Sequence, residues 1–230
     1  VSGLDVTVSL APAQSSLLTG LVHVFLLNET SGNRSAAVGG LVLQDTNTVG
    51  YTTGKSGNAA SFLKASQEQL VSTTNVVLPA SYSASCWFYA VGVPASYATI
   101  IAVEDLDDQA GTTQLLVQHT SGTLWAWTAD GTNLAYATNF GWGTGAWKHL
   151  VVTYDSSIQE LQLYVDGTAG TPGTLPGTRT TSSQPLRLGA EDAWTSSLWN
   201  GYIDEVYIYD RVLNSTEITD LGSKYYPEFA

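Results

Sequence analysis

Short runs in which apolar and polar residues alternate, each bounded by Gly, Asn, Asp or Pro, recur from Gly20 almost to the end of the chain. A period of two sends successive side chains to opposite faces of an extended backbone, so the pattern commits the chain to β-strands rather than helices. The runs predict strands at 21–27, 41–43, 59–63, 69–72, 83–90, 97–103 and 114–118, then at 124–128, 133–137, 147–154, 160–165, 186–189 and 201–209. So many strands in 230 residues stack as two sheets, the arrangement that buries one face of each. Asp130-Gly131 and Asp166-Gly167 lie between such runs, where Asp and Gly readily adopt the positive φ of a tight hairpin. One segment, 213–221, has helical character: Asn214 or Ser215 can cap it and Glu217 falls in its first turn.

Charge narrows the function classes. Lys and Arg total 8 against 20 Asp and Glu, a net charge of -12 that repels phosphate backbones and anionic membrane surfaces. Nucleic acid is therefore excluded as a partner. Apolar stretches such as Val24 to Leu27 fall far short of the roughly 20 residues of a membrane helix, which excludes insertion by that route. One cysteine, Cys86, permits no internal disulfide and reads as a small core hydrophobe on its strand. No charged-then-apolar signal peptide is visible in this chain.

Several phrases, in order, resemble the laminin G-like branch of the concanavalin A-like lectin and glucanase superfamily. They begin with GLVHVFLLNETSG from Gly20, GKSGNAASF from Gly54 and SASCWF from Ser83. They continue with WKHLVVTYD from Trp147, LYVDG from Leu163, NGYIDEVYIYD from Asn200 and LNSTEI from Leu213. The resemblance implies an all-β fold, a two-sheet antiparallel jelly-roll sandwich with one short C-terminal helix. It divides the chain into an N-terminal arm or added strand at 1–19, the jelly-roll domain at 20–222 and a tail at 223–230. It implies an extracellular, cell-surface or virion setting and a glycan or protein partner. Two functions are expected from it: a carbohydrate-binding or adhesion module, and a decoration or cement protein of a phage virion or other surface assembly. In the second, neighbouring subunits are the partners and the arm adds a strand to one of them.

Catalysis is not expected. Glycosidases of the superfamily set an acid and a nucleophile two or three residues apart on one strand, flanking the sugar bond. Glu104-Asp105-Leu106-Asp107-Asp108 has Leu where a carboxylate is needed, and simple alternation predicts opposite faces for Asp204 and Glu205. His23 and His149 fall inside strand patterns and His119 beside a turn, so all three read as structural. Calcium, which takes six to eight oxygens, suits the acidic excess better. Glu29 and Asp204 match positions where relatives carry a calcium joining the chain ends, and Asp105, Asp107 and Asp108 form a second candidate loop ending at Gly111. Sugar rings stack their C–H faces on aromatic side chains while amides and carboxylates bond the hydroxyls. Trp142, between two glycines, and Trp194, beside Glu191 and Asp192, are the loop-borne candidates for that role. Trp87, Trp147, Trp125 and Trp127 sit in strand patterns and are expected in the core.

Overall fold

A computed structural model describes residues 16–94, 96–104, 113–140, 143–191 and 197–223. With strands numbered in chain order, the first sheet runs β14 (Thr168–Ala169), β13 (Glu160–Val165), β12 (Trp147–Asp155), β7 (Tyr82–Ala90), β17 (Gly201–Tyr209), β5 (Asn58–Phe62), β4 (Gly50–Thr53). β1 (Leu21–Phe25) adds to β17 and β15 (Gly173–Thr174) to β13, which makes nine strands. The second sheet has eight: β11 (Leu134–Phe140), β10 (Thr123–Ala129), β9 (Leu115–Thr120), β8 (Ala98–Val103), β16 (Leu186–Leu188), β6 (Gln69–Ser72), β3 (Val42–Thr46) and β2 (Arg34–Ser35). The pairings are antiparallel throughout, as the family resemblance implies.

The sheets face each other across one core. From β7, Tyr82, Ala84, Cys86, Phe88 and Ala90 point inward, and they meet Leu115, Val117, Leu124 and Ala126 of the second sheet. Each fully buried Leu, Val or Phe contributes about 1.5–3 kcal/mol, so this interlayer is the main source of stability. Cys86 is free and fully buried there, and its thiol pKa is pushed up by burial and by the nearby Asp204 carboxylate. Asp166 and Gly167 adopt φ of 49° and 76° in the turn from β13 to β14, as the dipeptide predicts.

A second apolar cluster lies on the outer face of the nine-stranded sheet. Helix α1 (Ser215–Ser223) sets Ile218 and Leu221, with Leu213, against Val24, Val151, Tyr207 and Tyr209. Its start is the reciprocal cap expected from the sequence: Glu217 N donates to Asn214 Oδ1 at 3.0 Å and Asn214 N to Glu217 Oε2 at 2.9 Å. Arg211 grips both carboxylate oxygens of Glu217 at 2.8 Å and donates onward to the carbonyls of Ser16 and Thr19. That clamp ties the helix to the chain just ahead of β1.

Two expectations need correction. Among the tryptophans, Trp199 is buried in the interlayer at 1% exposure, whereas Trp87, Trp125, Trp127 and Trp147 alternate onto outer faces and are half-buried. Strand membership fixed that they alternate; it did not fix which face is the core. Asp204 and Glu205 also share a face. The register against β7 slips between Asp204 and Tyr207, and Glu205 takes φ 51°, the mark of a bulge. Ile203 and Val206 both point into the core, so both carboxylates between them lie on the outer side.

Candidate functional site

The outer face of the eight-stranded sheet carries an aromatic cluster built by one hairpin. β10 and β11 are joined through Asp130, whose Oδ1 accepts from the backbone N–H groups of Thr132 and Asn133 at 3.0 and 2.7 Å. These bonds hold its carboxyl below the usual carboxylate range. The turn sets the register, and Trp127 falls opposite Tyr136 while Trp125 falls opposite Thr138. The Trp125 and Trp127 rings stack at 5.8 Å, and Tyr136 meets them at 5.6 and 5.4 Å. Tyr97, ahead of β8, closes edge-on against Trp127 at 6.4 Å. Tyr136 and Tyr97 are 51% and 42% exposed, so the cluster presents ring faces to solvent. The indole N–H groups of Trp125 and Trp127 are buried and have no hydrogen-bond partner among the described residues.

Polar groups adjoin the rings. Gln118 is the β9 partner of Trp125, and its amide donates to Thr99 Oγ1 at 3.1 Å and to Glu191 Oε2 at 2.8 Å. Of the loop candidates, Glu191 is thus brought to the cluster. A single cross-strand row links Tyr136, Trp127, Leu116, Ala102, Arg187, Val71 and Gln44. Its middle is closed over, with Leu116 and Ala102 at 2% and 0% exposure. Its far end opens into a cleft of about 340 Å³ lined by Gln44, Asn47, Gln67, Gln69 and Arg187 among others. There the Arg187 guanidinium donates to Gln69 Oε1 at 3.0 Å. The face therefore has an aromatic end and an amide-rich end.

Asp204 occupies a different place, under the turn between β4 and β5. Its Oδ2 accepts from Lys55 N at 2.7 Å and Ser56 N at 3.1 Å, while Oδ1 is buried and makes no hydrogen bond of normal geometry among the described residues, with the Glu205 backbone N–H beside the carboxylate. Burial raises its pKa to about 7, with the neighbouring Glu205 carboxylate adding to the backbone-opposed shift. A Cβ at Gly54 would lie 2.5 Å from Asp204 Oδ2 and 2.7 Å from the Asn58 carbonyl, so glycine alone lets the turn close on the carboxylate. An unpartnered buried carboxylate oxygen in a polar turn fits a cation. Glu29, the other expected ligand, follows β1 and is engaged elsewhere: its Oε1 accepts from Ser35 N of β2 at 2.8 Å, and it is its neighbour Asn28 that reaches the β4–β5 turn, accepting from Asn58 N at 2.8 Å. No cluster of three or more His, Cys, Asp or Glu side chains able to hold a metal occurs among the described residues. Calcium at Asp204 would have to complete its shell from backbone carbonyls and water, and would take Glu29 only by drawing it off Ser35 N.

A Ser–His contact joins Ser85 Oγ to His149 Nε2 at 3.1 Å. His149 is 2% exposed, packs on Trp87 at 5.1 Å, and has no partner at Nδ1 among the described residues, where a triad would place its orienting carboxylate. Asp166 instead accepts from the His149 backbone N–H at 2.9 Å. Burial lowers the His149 pKa to about 4, against a partial opposing pull from Asp166. On β17, Glu205 accepts a hydrogen bond from Tyr207 Oη and its pKa is raised by burial.

Trp142, Trp194 and Asp192, and the acidic loop residues Asp105, Asp107 and Asp108, lie outside the described residues. Sequence reasoning passed over Trp125, Trp127 and Tyr136. Their signal was present: counting outward from the Asp130-Gly131 turn pairs Trp127 with Tyr136.

A family model for the concanavalin A-like lectin/glucanases superfamily, laminin G-like, matches residues 64–219. No curated protein matches the chain in sequence. Domain 4 of AbnA, an extracellular arabinanase of Geobacillus stearothermophilus, in complex with arabinotriose, is similar in structure, with TM-score 0.68 and 20% identity over 88% of this chain and 98% of that one. Trypanosoma rangeli sialidase follows at TM-score 0.65 and 14% identity, over 88% of this chain and 32% of the sialidase. The binding domain of Paraclostridial Mosquitocidal Protein 1 gives 0.69 and 13%, over 91% of this chain and 52% of that one. The chain thus spans about a third of the sialidase and half of the toxin domain.

Proposed function

Because the chain belongs to the laminin G-like family of the concanavalin A-like lectin/glucanase superfamily, we propose that it is a non-catalytic carbohydrate-binding module of an extracellular or surface setting. The observation that carries this reading is the solvent-facing Trp125–Trp127–Tyr136 cluster with Gln118 and Glu191 one strand away. Stacked rings offer the apolar faces that a sugar's C–H groups cover, and the Glu191 carboxylate, held in place by the Gln118 amide, offers directional bonds to hydroxyls. The arabinotriose bound by AbnA domain 4 makes arabinose oligomers the first ligands to try. The experiment is titration of the intact protein with a panel of neutral and sialylated oligosaccharides, repeated with Trp127→Ala. Binding to at least one, weakened about tenfold by the substitution, supports the reading. Binding to none refutes it.

Absence of turnover is part of the proposal. Glu205 is engaged by Tyr207 and the Ser85–His149 pair is sealed, so neither supplies a nucleophile with a working base. Sustained product release from any polysaccharide of the panel would overturn that part. Calcium is proposed as a structural ion held by Asp204 Oδ1, with Glu29 as the second carboxylate once it leaves its bond to Ser35 N, supplying the positive charge that the buried carboxylate lacks.

One observation favours a second reading, as a decoration or cement protein contacting neighbouring subunits. Leu63, Val91 and Val93 are 51%, 53% and 59% exposed, and Leu63 and Val93 line an apolar groove of about 460 Å³ with Pro94 and Leu198. Sedimentation of the intact chain beside Leu63→Ser/Val93→Ser tests it: an assembly that the double variant dissolves supports this reading, and a monomer in both removes it.

A further inference from the structure

The opposite side of the sandwich carries a second ring surface that the first does not account for. On the outer face of the nine-stranded sheet, Trp147, Tyr89 and Tyr202 are direct cross-strand partners on the adjacent strands β12, β7 and β17. Tyr89 and Tyr202 stack at 5.1 Å, and Trp147 meets them at 5.8 and 6.2 Å. All three are half-buried, and among the described residues neither phenol hydroxyl nor the Trp147 indole N–H makes a hydrogen bond. The row continues onto Ser61 of β5 and Gly50 of β4, two small residues that leave a low floor beside the rings. Five strands at about 4.8 Å spacing make a shallow track of roughly 19 Å.

We propose that the Trp147–Tyr89–Tyr202 row is a second glycan-binding surface, taking a neutral oligosaccharide segment, and that one chain therefore bridges two polysaccharide strands. This rests on the reading of the module as carbohydrate-binding. Two observations choose the occupant. Three half-buried rings expose at most a few hundred Å², below the roughly 800 Å² per partner of a stable protein interface but ample for stacked sugar rings. Three uncommitted polar tips at the edges of stacked rings suit a ligand with hydroxyls around an apolar face. The net charge of -12 disfavours acidic sugars, which makes the ligand neutral. The first cluster faces away on the other sheet, so simultaneous occupation needs no rearrangement, and two linked sites on a polymer gain avidity without new contacts.

The test is calorimetric titration of the full chain with neutral trisaccharides (arabinotriose, xylotriose, cellotriose, mannotriose), with precipitation of the matching polysaccharide as the second readout. The variants are Trp147→Ala/Tyr202→Ala for this row and Trp127→Ala/Tyr136→Ala for the other face, with thermal melts confirming that both fold. Trp147→Phe, which keeps the ring and removes the N–H, reports the polar tip separately. The expected result is two sites per parent chain, one per chain in each double variant with about tenfold loss at the altered face, and precipitation by the parent alone. One site in the parent, unaffected by Trp147→Ala/Tyr202→Ala, overturns the second surface and leaves the first standing. One site lost only in Trp147→Ala/Tyr202→Ala supports this row and overturns the site assigned to the other face. No binding of any neutral sugar overturns this surface, and the carbohydrate-binding reading falls with it only if the sialylated members of the panel fail to bind as well.

Discussion

Lowering the pH from 7.5 to 4.5 places a defined load on His149. Its ring is buried, bonded to Ser85 and covered by the end of helix α1, where a Cβ on Gly222 would lie 2.9 Å from Nδ1. Burial holds its pKa at about 4, against 6.5 in an unfolded chain. Below pH 6.5 the unfolded state therefore takes a proton that the native state refuses, and stability falls until the pH reaches the native value. Between pH 7.5 and 4.5 those two values give a loss of about 2–3 kcal/mol from this residue. Asp204 and Glu205, whose pKa values are raised, act in the opposite direction, so a bare pH profile mixes signs. Comparing the parent with His149→Gln, which keeps an acceptor for Ser85, isolates the histidine. Urea melts at both pH values should show the stability gap between the two proteins shifting by about 2–3 kcal/mol in favour of the variant at pH 4.5. An unchanged gap means that His149 titrates near its free value and is open to water. In that case the Ser85–His149 pair could work as nucleophile and base, and the non-catalytic reading would lose its physical ground.

Trp127→Ala removes ring contacts to Trp125, Tyr136 and Tyr97 and should cost about 2–3 kcal/mol in urea melts, since each aromatic pair contributes about 0.5–1.5 kcal/mol; a loss under about 0.5 kcal/mol would mean the cluster is not formed in solution. Arg211→Ala strips a two-pronged partner from Glu217, whose side chain is only 6% exposed, and should lower the melting temperature by several degrees and loosen amide exchange in helix α1; unchanged exchange there would contradict the clamp. Calcium should raise the melting temperature of the EDTA-treated parent and leave Asp204→Ala unmoved, whereas an equal rise in both would place any calcium elsewhere. Gly54→Ala should remove the same calcium response by forcing the turn off Asp204, and a response of parental size would refute the close packing of that turn.

Much of the architecture was legible because side-chain alternation and turn chemistry are local. Glu160–Val165 and Gly201–Tyr209 stand where the alternation put them, and the Asn214–Glu217 cap closes the helix as its spacing requires. Gly50–Thr53 escaped notice because Gly-Tyr-Thr-Thr-Gly has the composition of a turn and becomes a strand only by pairing with β5. Burial of Arg34 was likewise invisible: a charged residue reads as exposed until the carbonyls of Val49 and Gly50, 15 and 16 residues away in sequence, converge on its guanidinium. The candidate site was less legible than the fold. Period-two patterning says that Trp125 and Trp127 share a face, but both faces of β10 carry large or apolar side chains, and only the stacking of the sheets decides which is outside. The bulge at Glu205 defeated the alternation argument for Asp204, because one residue of positive φ restores two carboxylates to one side.

The central claim is that sugar sits on the Trp125–Trp127–Tyr136 face. Hydroxyl-radical footprinting read by mass spectrometry, with and without the tightest oligosaccharide of the panel, tests it residue by residue. Trp127 and Tyr136 should lose most of their labelling on ligand addition, while Trp199, buried in the interlayer, should stay dark in both states. Undiminished labelling of Trp127 and Tyr136 under saturating ligand would contradict the account.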